Sequence, residues 1–254
     1  MKKNLYYRTV FKRSNVFKEG ALAFFMAFCS WPRLLLEVFV RKNFGERYFS
    51  FSTAMFIAGI LALLPLIYNE VLGRVYGSGL PAFIFLFGSW YGYLAWFIYA
   101  CLQRREEIKR LPSVFDFGRF SLSTGEISPR FREIEIGGER VDIRTIETLL
   151  EPGLFAVVGI SLWVSAQPIG IIIFISSIFY SLSYMAAYRQ GDHALMDKID
   201  EMICNEEMVN IFVEGQDPSE TRGVSYYGRR PADPETRRRL VDAFMEADDV
   251  VEAV

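Results

Sequence analysis

The chain has 254 residues, 52% of them hydrophobic and 16% aromatic, a composition too apolar for a soluble protein of one or two domains. Its 28 Lys/Arg nearly balance its 30 Asp/Glu, but the balance is an average of opposed segments. A general basic footprint for nucleic acid is therefore excluded.

Residues 1–48 carry ten Lys/Arg against Glu19, Glu37 and Glu46, a net +7. Their apolar stretches, GALAFFMAFCSW and LLLEVFV, are each too short to span a bilayer, and Trp31-Pro32-Arg33 separates them. Basic flanks around short apolar runs predict amphipathic helices lying on the inner leaflet. Ordinary packing against the spans is the equal alternative. The stretch has no small-residue cleavage site, so a cleaved signal peptide is not expected.

Residues 49–102 hold a single pair of charges, Glu70 and Arg74. Phe51–Tyr68 and Pro81–Leu102 are each long enough for a bilayer core that takes about 20 helical residues. The intervening NEVLGRVYGSGL, with Gly73, Gly77 and Gly79, reads as a short exposed turn.

Residues 103–151 are charge-dense and predict a small cytoplasmic insert. In FREIEI-GG-ERVDI, Gly137 and Gly138 supply the positive φ values of a two-residue hairpin turn. Pairing across it sets Ile134 opposite Val141, Glu135 opposite Arg140, and Ile136 opposite Glu139. Arg132, Ile134, Ile136, Val141 and Ile143 would then share one face. FGRFSLSTGEISPRF, upstream, reads as a further strand or turn pair, and Arg144–Glu151 as a short helix.

Residues 152–188 begin with Pro152 and Gly153, and from Leu154 to Tyr188 the chain holds no charge. One straight helix over that run would measure about 52 Å, far more than the hydrocarbon core. Pro168 restricts Gln167 and Gly170 follows, so the chain should turn there. The expectation is Gly153–Ala166, a tight turn, and Ile169–Tyr188, either as two spans or as a re-entrant hairpin. The short first arm can borrow length from the preceding TIETLLEP or thin the bilayer. Small residues, Gly153, Gly159, Ser161 and Ser165, would let these helices pack closely in lipid.

Residues 189–254 form an acidic helical tail, with eight basic against sixteen acidic side chains from Tyr188 onward. Leu195, Ile199, Met202 and Ile203 recur at helical spacing as an uncovered stripe, which implies a protein partner. Asp233-Pro234-Glu235 is a helix start, with Asp as cap.

Chemistry-bearing patterns are sparse. Cys29, Cys101 and Cys204 form no CxxC pair, so neither a disulfide framework nor a structural zinc site is expected. His193 is the one histidine, and with Asp192 and Asp197 it reads as a solvated helix face rather than a metal site. Ser161 in GISLW has no intramembrane histidine to activate it. The four spans contain no ionisable side chain, which argues against coupled transport. A pore lined by Ser161, Ser165, Ser176, Ser177, Ser181 and Ser183 is a rival to close serine packing. Arg229-Arg230 and Arg237–Arg239 sit within net acidity, so no nucleic acid is expected. The order hairpin, short helix, Glu-Pro and paired apolar runs resembles accessory membrane proteins of bacterial conjugation and type IV secretion loci.

The combined expectation is an α-helical polytopic membrane protein with about four transmembrane helices. It carries a small cytoplasmic α+β insert containing a β-hairpin, and a helical cytoplasmic C-terminal tail. The positive-inside rule places both termini in the cytoplasm of a bacterial inner membrane. Function is expected to be non-enzymatic: an anchor or assembly subunit of a multi-subunit complex such as a secretion or conjugative-transfer apparatus. It would contact the lipid bilayer and cytoplasmic or membrane proteins as a homo-oligomer or hetero-complex, with no cofactor and no metal. An oligomeric channel and a lipid-active enzyme are the alternatives.

Overall fold

The computed structural model describes residues 5–11, 16–76, 80–109 and 120–246; for Leu5, residues 69–76, Leu80, Ile136, Pro218, Met245 and Glu246 it describes the backbone alone. The described chain is mostly helical, and five of its helices are long and apolar enough to cross a membrane. Packing divides it into two compact units, Leu22–Ala187 and Met1–Ala21 with Tyr188–Val254.

Helix α1 is Leu5–Val10 and α2 is Val16–Val40. The break expected at Trp31-Pro32-Arg33 does not occur: α2 runs through Pro32 as one helix of 25 residues. Pro32 removes only the N–H that would reach the Phe28 carbonyl, and tertiary burial outweighs that loss. Arg33 to Val38 are all buried, so this half of the helix is enclosed on every side.

Helix α3 (Phe51–Tyr76) packs antiparallel on α4 (Leu80–Ile108), with Tyr68 against Phe87 and Arg105 over Phe51. The helix of α3 continues through Asn69–Tyr76, where a turn was expected; Gly77 and Gly79 lie outside the described residues. Pro65 cannot donate to the Leu61 carbonyl. The indole of Trp90 donates to that oxygen instead, at 2.9 Å, and Tyr91 Oη donates to the Ala62 carbonyl at 3.1 Å. In lipid no water could have taken those places.

Beyond α4, residues 42–47 lie alongside 121–126. Glu126 N donates to Lys42 O at 2.7 Å, Gly45 N to Ser123 O at 2.8 Å, and Arg47 N to Ser121 O at 2.9 Å. Gly45 is obligatory there, because a Cβ would stand 2.3 Å from the Ser121 carbonyl oxygen. The beginning of FGRFSLSTGEISPRF lies outside the described residues; its remainder pairs with the 42–47 segment rather than with itself.

The expected hairpin strand is short. Helix α5 (Pro129–Arg132) takes up Phe131 and Arg132, and α6 (Ile143–Thr145) takes up Ile143. The assigned strands are β1 (Glu135–Ile136) and β2 (Glu139–Arg140), Glu135 facing Arg140 and Ile136 facing Glu139, and one step out Val141 N donates to Ile134 O at 3.2 Å as the register requires. The shared face drawn through Arg132 and Ile143 is thereby removed. Gly137 and Gly138 turn the chain with φ of 69° and 86°.

A π-helical turn, Ile146–Leu150, carries α6 into α7 (Glu151–Val164), so the helical run is Ile143–Val164, 22 residues. Pro152 continues the run from the π turn, so its missing N–H leaves a carbonyl of the preceding turn without a backbone donor; Ser181 Oγ donates to one of these, Thr148 O, at 2.6 Å. The chain reverses at residues 165–168 and α8 runs Ile169–Val209. At the crossing of the two helices, a Cβ on Gly159 would approach Phe174 N to 2.6 Å, and one on Gly170 would approach Trp163 N to 2.4 Å.

The second unit is built on α1, the distal part of α8, a π-helical turn at Asn210–Glu214 and α9 (Pro234–Glu246). Its core is Tyr7, Cys204, Met208, Ile211, Phe212 and Val241, ringed by Tyr6, Phe11, Val224, Tyr226 and Phe244. A short 3₁₀ turn, Pro218–Glu220, lies in the connecting loop. The sequence sets Asp248 and Asp249 late in the last helical stretch, where acidic charge opposes a helix dipole, and both lie outside the described residues.

A stability contrast follows from the α7–α8 contact. Gly170→Ala should lower the melting temperature of the detergent-purified protein, because backbone must shift to admit the methyl. Gly153→Ala, with nothing within 4 Å of its added Cβ, should raise stability by about 0.5–1 kcal/mol. Equal effects would remove the close crossing as their cause.

Candidate functional site

Inside the Leu22–Ala187 unit, five charged side chains converge on one network. Arg33, Glu37 and Arg41 recur at i, i+4, i+8 on α2, and Glu147 and Glu151 at i, i+4 across the π turn into α7. Those spacings put each set on one helix face. Arg41 and Glu151 are completely buried.

Arg41 Nε donates to Glu151 Oε2 at 2.9 Å, and Nη2 reaches the same oxygen. Its Nη1 donates to Tyr184 Oη at 2.6 Å and stands 3.0 Å from Glu147 Oε1. Tyr184 passes the contact on, donating to Glu37 Oε1 at 2.7 Å, while Tyr48 donates to Glu37 Oε2 at 2.7 Å. Tyr180 donates to Glu151 Oε2 at 2.6 Å. Arg33 Nη1 donates to Ser183 Oγ at 2.9 Å, and its Nε lies 3.3 Å from Glu37. The guanidinium of Arg41 also lies 4.6 Å from the Tyr184 ring centroid, within cation–π range.

An isolated buried ion costs far more than folding can supply, so every charge here must be answered. Phenol donors and guanidinium donors together answer almost all of them. Glu151 Oε1 and Arg33 Nε are the exceptions in this network, each buried without a hydrogen bond. For Arg41, burial alone would lower the guanidinium, but Tyr180, Tyr184 and Glu151 outweigh it and hold it above its ordinary value. Burial, reinforced by the Glu37 carboxylate, pushes the Tyr48 phenol well above the usual range. Two guanidinium groups face three carboxylates, with the phenols adding further donors, and none of these groups is a nucleophile held by a base. What the arrangement does is fix α2, α7 and α8 in one register.

None of these charges falls within the four spans expected from sequence, 51–68, 81–102, 153–166 and 169–188. Arg33 and Glu37 belong to α2, and Glu147 and Glu151 to the Ile143–Val164 run, both long and apolar enough to cross a membrane. Flanking charges that looked like helix breakers are the polar core.

Other expected positions fall elsewhere. Gly159 is at the α7–α8 crossing, whereas Gly153 meets nothing. Ser161 and Ser165 are exposed, and their hydroxyls donate to the Val157 and Ser161 carbonyls of their own helix. Ser177 does the same to Phe174 O, and Ser181 donates to Thr148 O. With Ser183 Oγ donating to Tyr180 O at 3.2 Å, five of the six serines expected to line a pore donate their hydroxyl to backbone. Pro168 follows a left-handed Ala166, φ 58°, in the turn. Gln167 ties that turn to α4, accepting from Ser89 Oγ at 2.5 Å and donating to Phe85 O at 3.3 Å. Beside it an apolar cavity of about 780 Å³ is lined by Leu64, Pro65, Tyr68, Phe87, Trp90, Trp163 and Ile171.

In the terminal unit, Leu195, Ile199 and Met202 are exposed and Ile203 is half-buried. The core takes the other side of α8, through Cys204, Met208 and Ile211. Burial, then Asp197 and Asp200, push the Tyr7 phenol up. His193 is exposed and accepts from Arg189 Nε at 3.4 Å. Among the described residues, no three His, Cys, Asp or Glu side chains stand together as a metal site. All three cysteines are buried free thiols.

Asp233 caps α9, accepting from Thr236 N at 2.9 Å and Thr236 Oγ1 at 2.5 Å. Those bonds to Thr236 hold its carboxyl below the usual range.

No family model, no curated protein and no solved structure matches the chain.

Two outcomes are expected. Arg41→Met should destabilise the purified protein by about 3–5 kcal/mol, the cost of leaving carboxylates buried and unpaired. Arg41→Met with Glu151→Met should recover most of that loss in thermal unfolding; additive losses would show that the two side chains are not coupled. Separately, the stabilisation from Asp233 should be complete above the unfolded carboxylate pKa, because the folded value is depressed. It should fade as the pH falls through the folded value, read as faster amide exchange at Thr236. Asp233→Asn should abolish that pH step.

Proposed function

We propose that the protein is a non-enzymatic membrane anchor or assembly subunit that presents its terminal unit to protein partners in a multi-subunit complex. One observation carries the reading. Residues 189–197 of α8 are exposed on every side, yet this stretch holds Leu195 and Met196, and Ile199 and Met202 continue the apolar row outward. A helix left uncovered with such a row has an unused apolar surface, as interaction surfaces do. The unit has its own core, so that row is not needed to complete it.

The basic excess of residues 1–48 and the RREEIKR segment after α4 favour a cytoplasmic position for both termini, with the membrane a bacterial inner membrane. The buried ionic network supports an anchoring role for the rest of the chain, since it stiffens the packing of α2, α7 and α8 without offering a reactive group.

Mass determination of the full chain in mild detergent tests this reading. The particle should exceed the 29.2 kDa chain, as a homo-oligomer or a stable hetero-complex. Ile199→Asp should reduce it to that mass while leaving the melting temperature unchanged. A parent that is monomeric and co-purifies with nothing would overturn the scaffold reading in favour of a self-contained enzyme.

A further inference from the structure

We infer that α2 does not cross the membrane: it starts and ends on one side, and its exposed row Phe24, Phe28 and Trp31 is set into an anionic lipid surface. The inference needs only a membrane location and is independent of any protein partner.

The first argument is topological. Tyr6, Tyr7 and Phe11 share a core with Met208, Ile211, Phe212, Val241 and Phe244, so the two ends of the chain lie in the same compartment. The chain between them must therefore cross the membrane an even number of times. Among the described residues five helices are long and apolar enough to cross, and five is odd. Four of them come in pairs. Helices α3 and α4 are antiparallel, their contacts running from Tyr68–Phe87 to Phe51–Arg105. Helices α7 and α8 fold back at residues 165–168, with Gly159 against Phe174 and Gly170. Each pair returns the chain to the side it left, whatever depth it reaches. That leaves α2 as the helix without a return partner, so α2 cannot be a crossing.

The second argument is chemical. Arg33, Glu37 and Arg41 bind Ser183, Tyr48, Glu147 and Glu151. The latter half of α2 is thus held where α7 begins and beside the loop that follows α2 itself. Earlier in the helix, Phe24, Phe28 and Trp31 fall at i, i+4, i+7 and are 74%, 53% and 50% exposed. An aromatic row of that spacing on a helix parallel to the bilayer lies at the level of the headgroups, where Trp is favoured. Residues 1–48 carry a net +7, which complements anionic lipid.

Spin labels at Phe24→Cys and Trp31→Cys, introduced singly into the full chain, test both parts in vesicles of phosphatidylcholine with phosphatidylglycerol. Native Cys29, Cys101 and Cys204 are buried and stay unlabelled in the folded protein. The measurement is immersion depth from relaxation by oxygen against a water-soluble nickel reagent. Seven residues rise about 10 Å along a helix axis. Labels at Phe56→Cys and Leu63→Cys on α3, also seven apart and exposed, should differ in depth by about that amount. The α2 labels should instead lie shallow and at nearly equal depth, and both should move outward in phosphatidylcholine alone. A depth difference on α2 matching that on α3 would make it a crossing and overturn the inference. So would α2 labels that only the aqueous reagent relaxes, while unchanged depth without anionic lipid would refute the charged partner. If the α3 labels also meet no lipid, the membrane location itself is wrong.

Discussion

The contact on which most of the Leu22–Ala187 unit depends is the ion pair between Arg41 and Glu151. Both side chains are shut away from water, so the pair persists because nearly all of its remaining donors and acceptors are placed, Glu151 Oε1 excepted. Tyr180 and Tyr184 exist in the bundle for that purpose: each phenol faces a carboxylate, and Tyr184 also receives Arg41. Through Tyr184 the pair is joined to Glu37, and through Glu37 to Arg33 and Tyr48. Apolar helices in lipid slide against one another at little cost, since tails and side chains are alike. A buried charge allows only one alignment.

The terminal unit is held by a different force. Its centre is aromatic, with Tyr6 stacked on Tyr226 at 5.5 Å and Phe212 edge-on to Tyr226 at 4.8 Å. Such pairs add roughly 0.5–1.5 kcal/mol beyond their burial. Arg222 clips the loop to α8 through exposed Glu206 and buried Glu207. The unit therefore owes its cohesion to residues more than two hundred positions apart, such as Tyr6 and Tyr227.

Local grammar made some of this legible and distance hid the rest. Pro168 and Gly170 announced the reversal between α7 and α8, and Gly137-Gly138 the small turn, because a two-residue signal acts where it stands. Asp233 announced α9 for the same reason. The continuity of α2 was hidden because Pro32 and Arg33 look like breakers when nothing shows what encloses them. The ionic network was hidden because Glu151 lies 110 residues from Arg41, and Tyr184 lies 143. One signal was available: Arg33, Glu37 and Arg41 alternate in sign at i, i+4, i+8 beside apolar neighbours, a face that demands partners. The pairing of 42–47 with 121–126 had no local mark except Gly45 and Gly125, whose φ is 88°.

Pro65 carries a consequence for biogenesis. Its missing N–H strips the Leu61 carbonyl of its donor, and the replacement, the Trp90 indole, comes from the next helix. Were α3 to enter a bilayer ahead of α4, Trp90 would not yet stand beside it. For that interval a bare carbonyl would sit in hydrocarbon, an expense of several kcal/mol for each unanswered polar group. The nascent α3 is therefore an incomplete helix that waits for α4, and the two are best regarded as one insertion unit. A Phe at position 90 would fill the space but never end that wait.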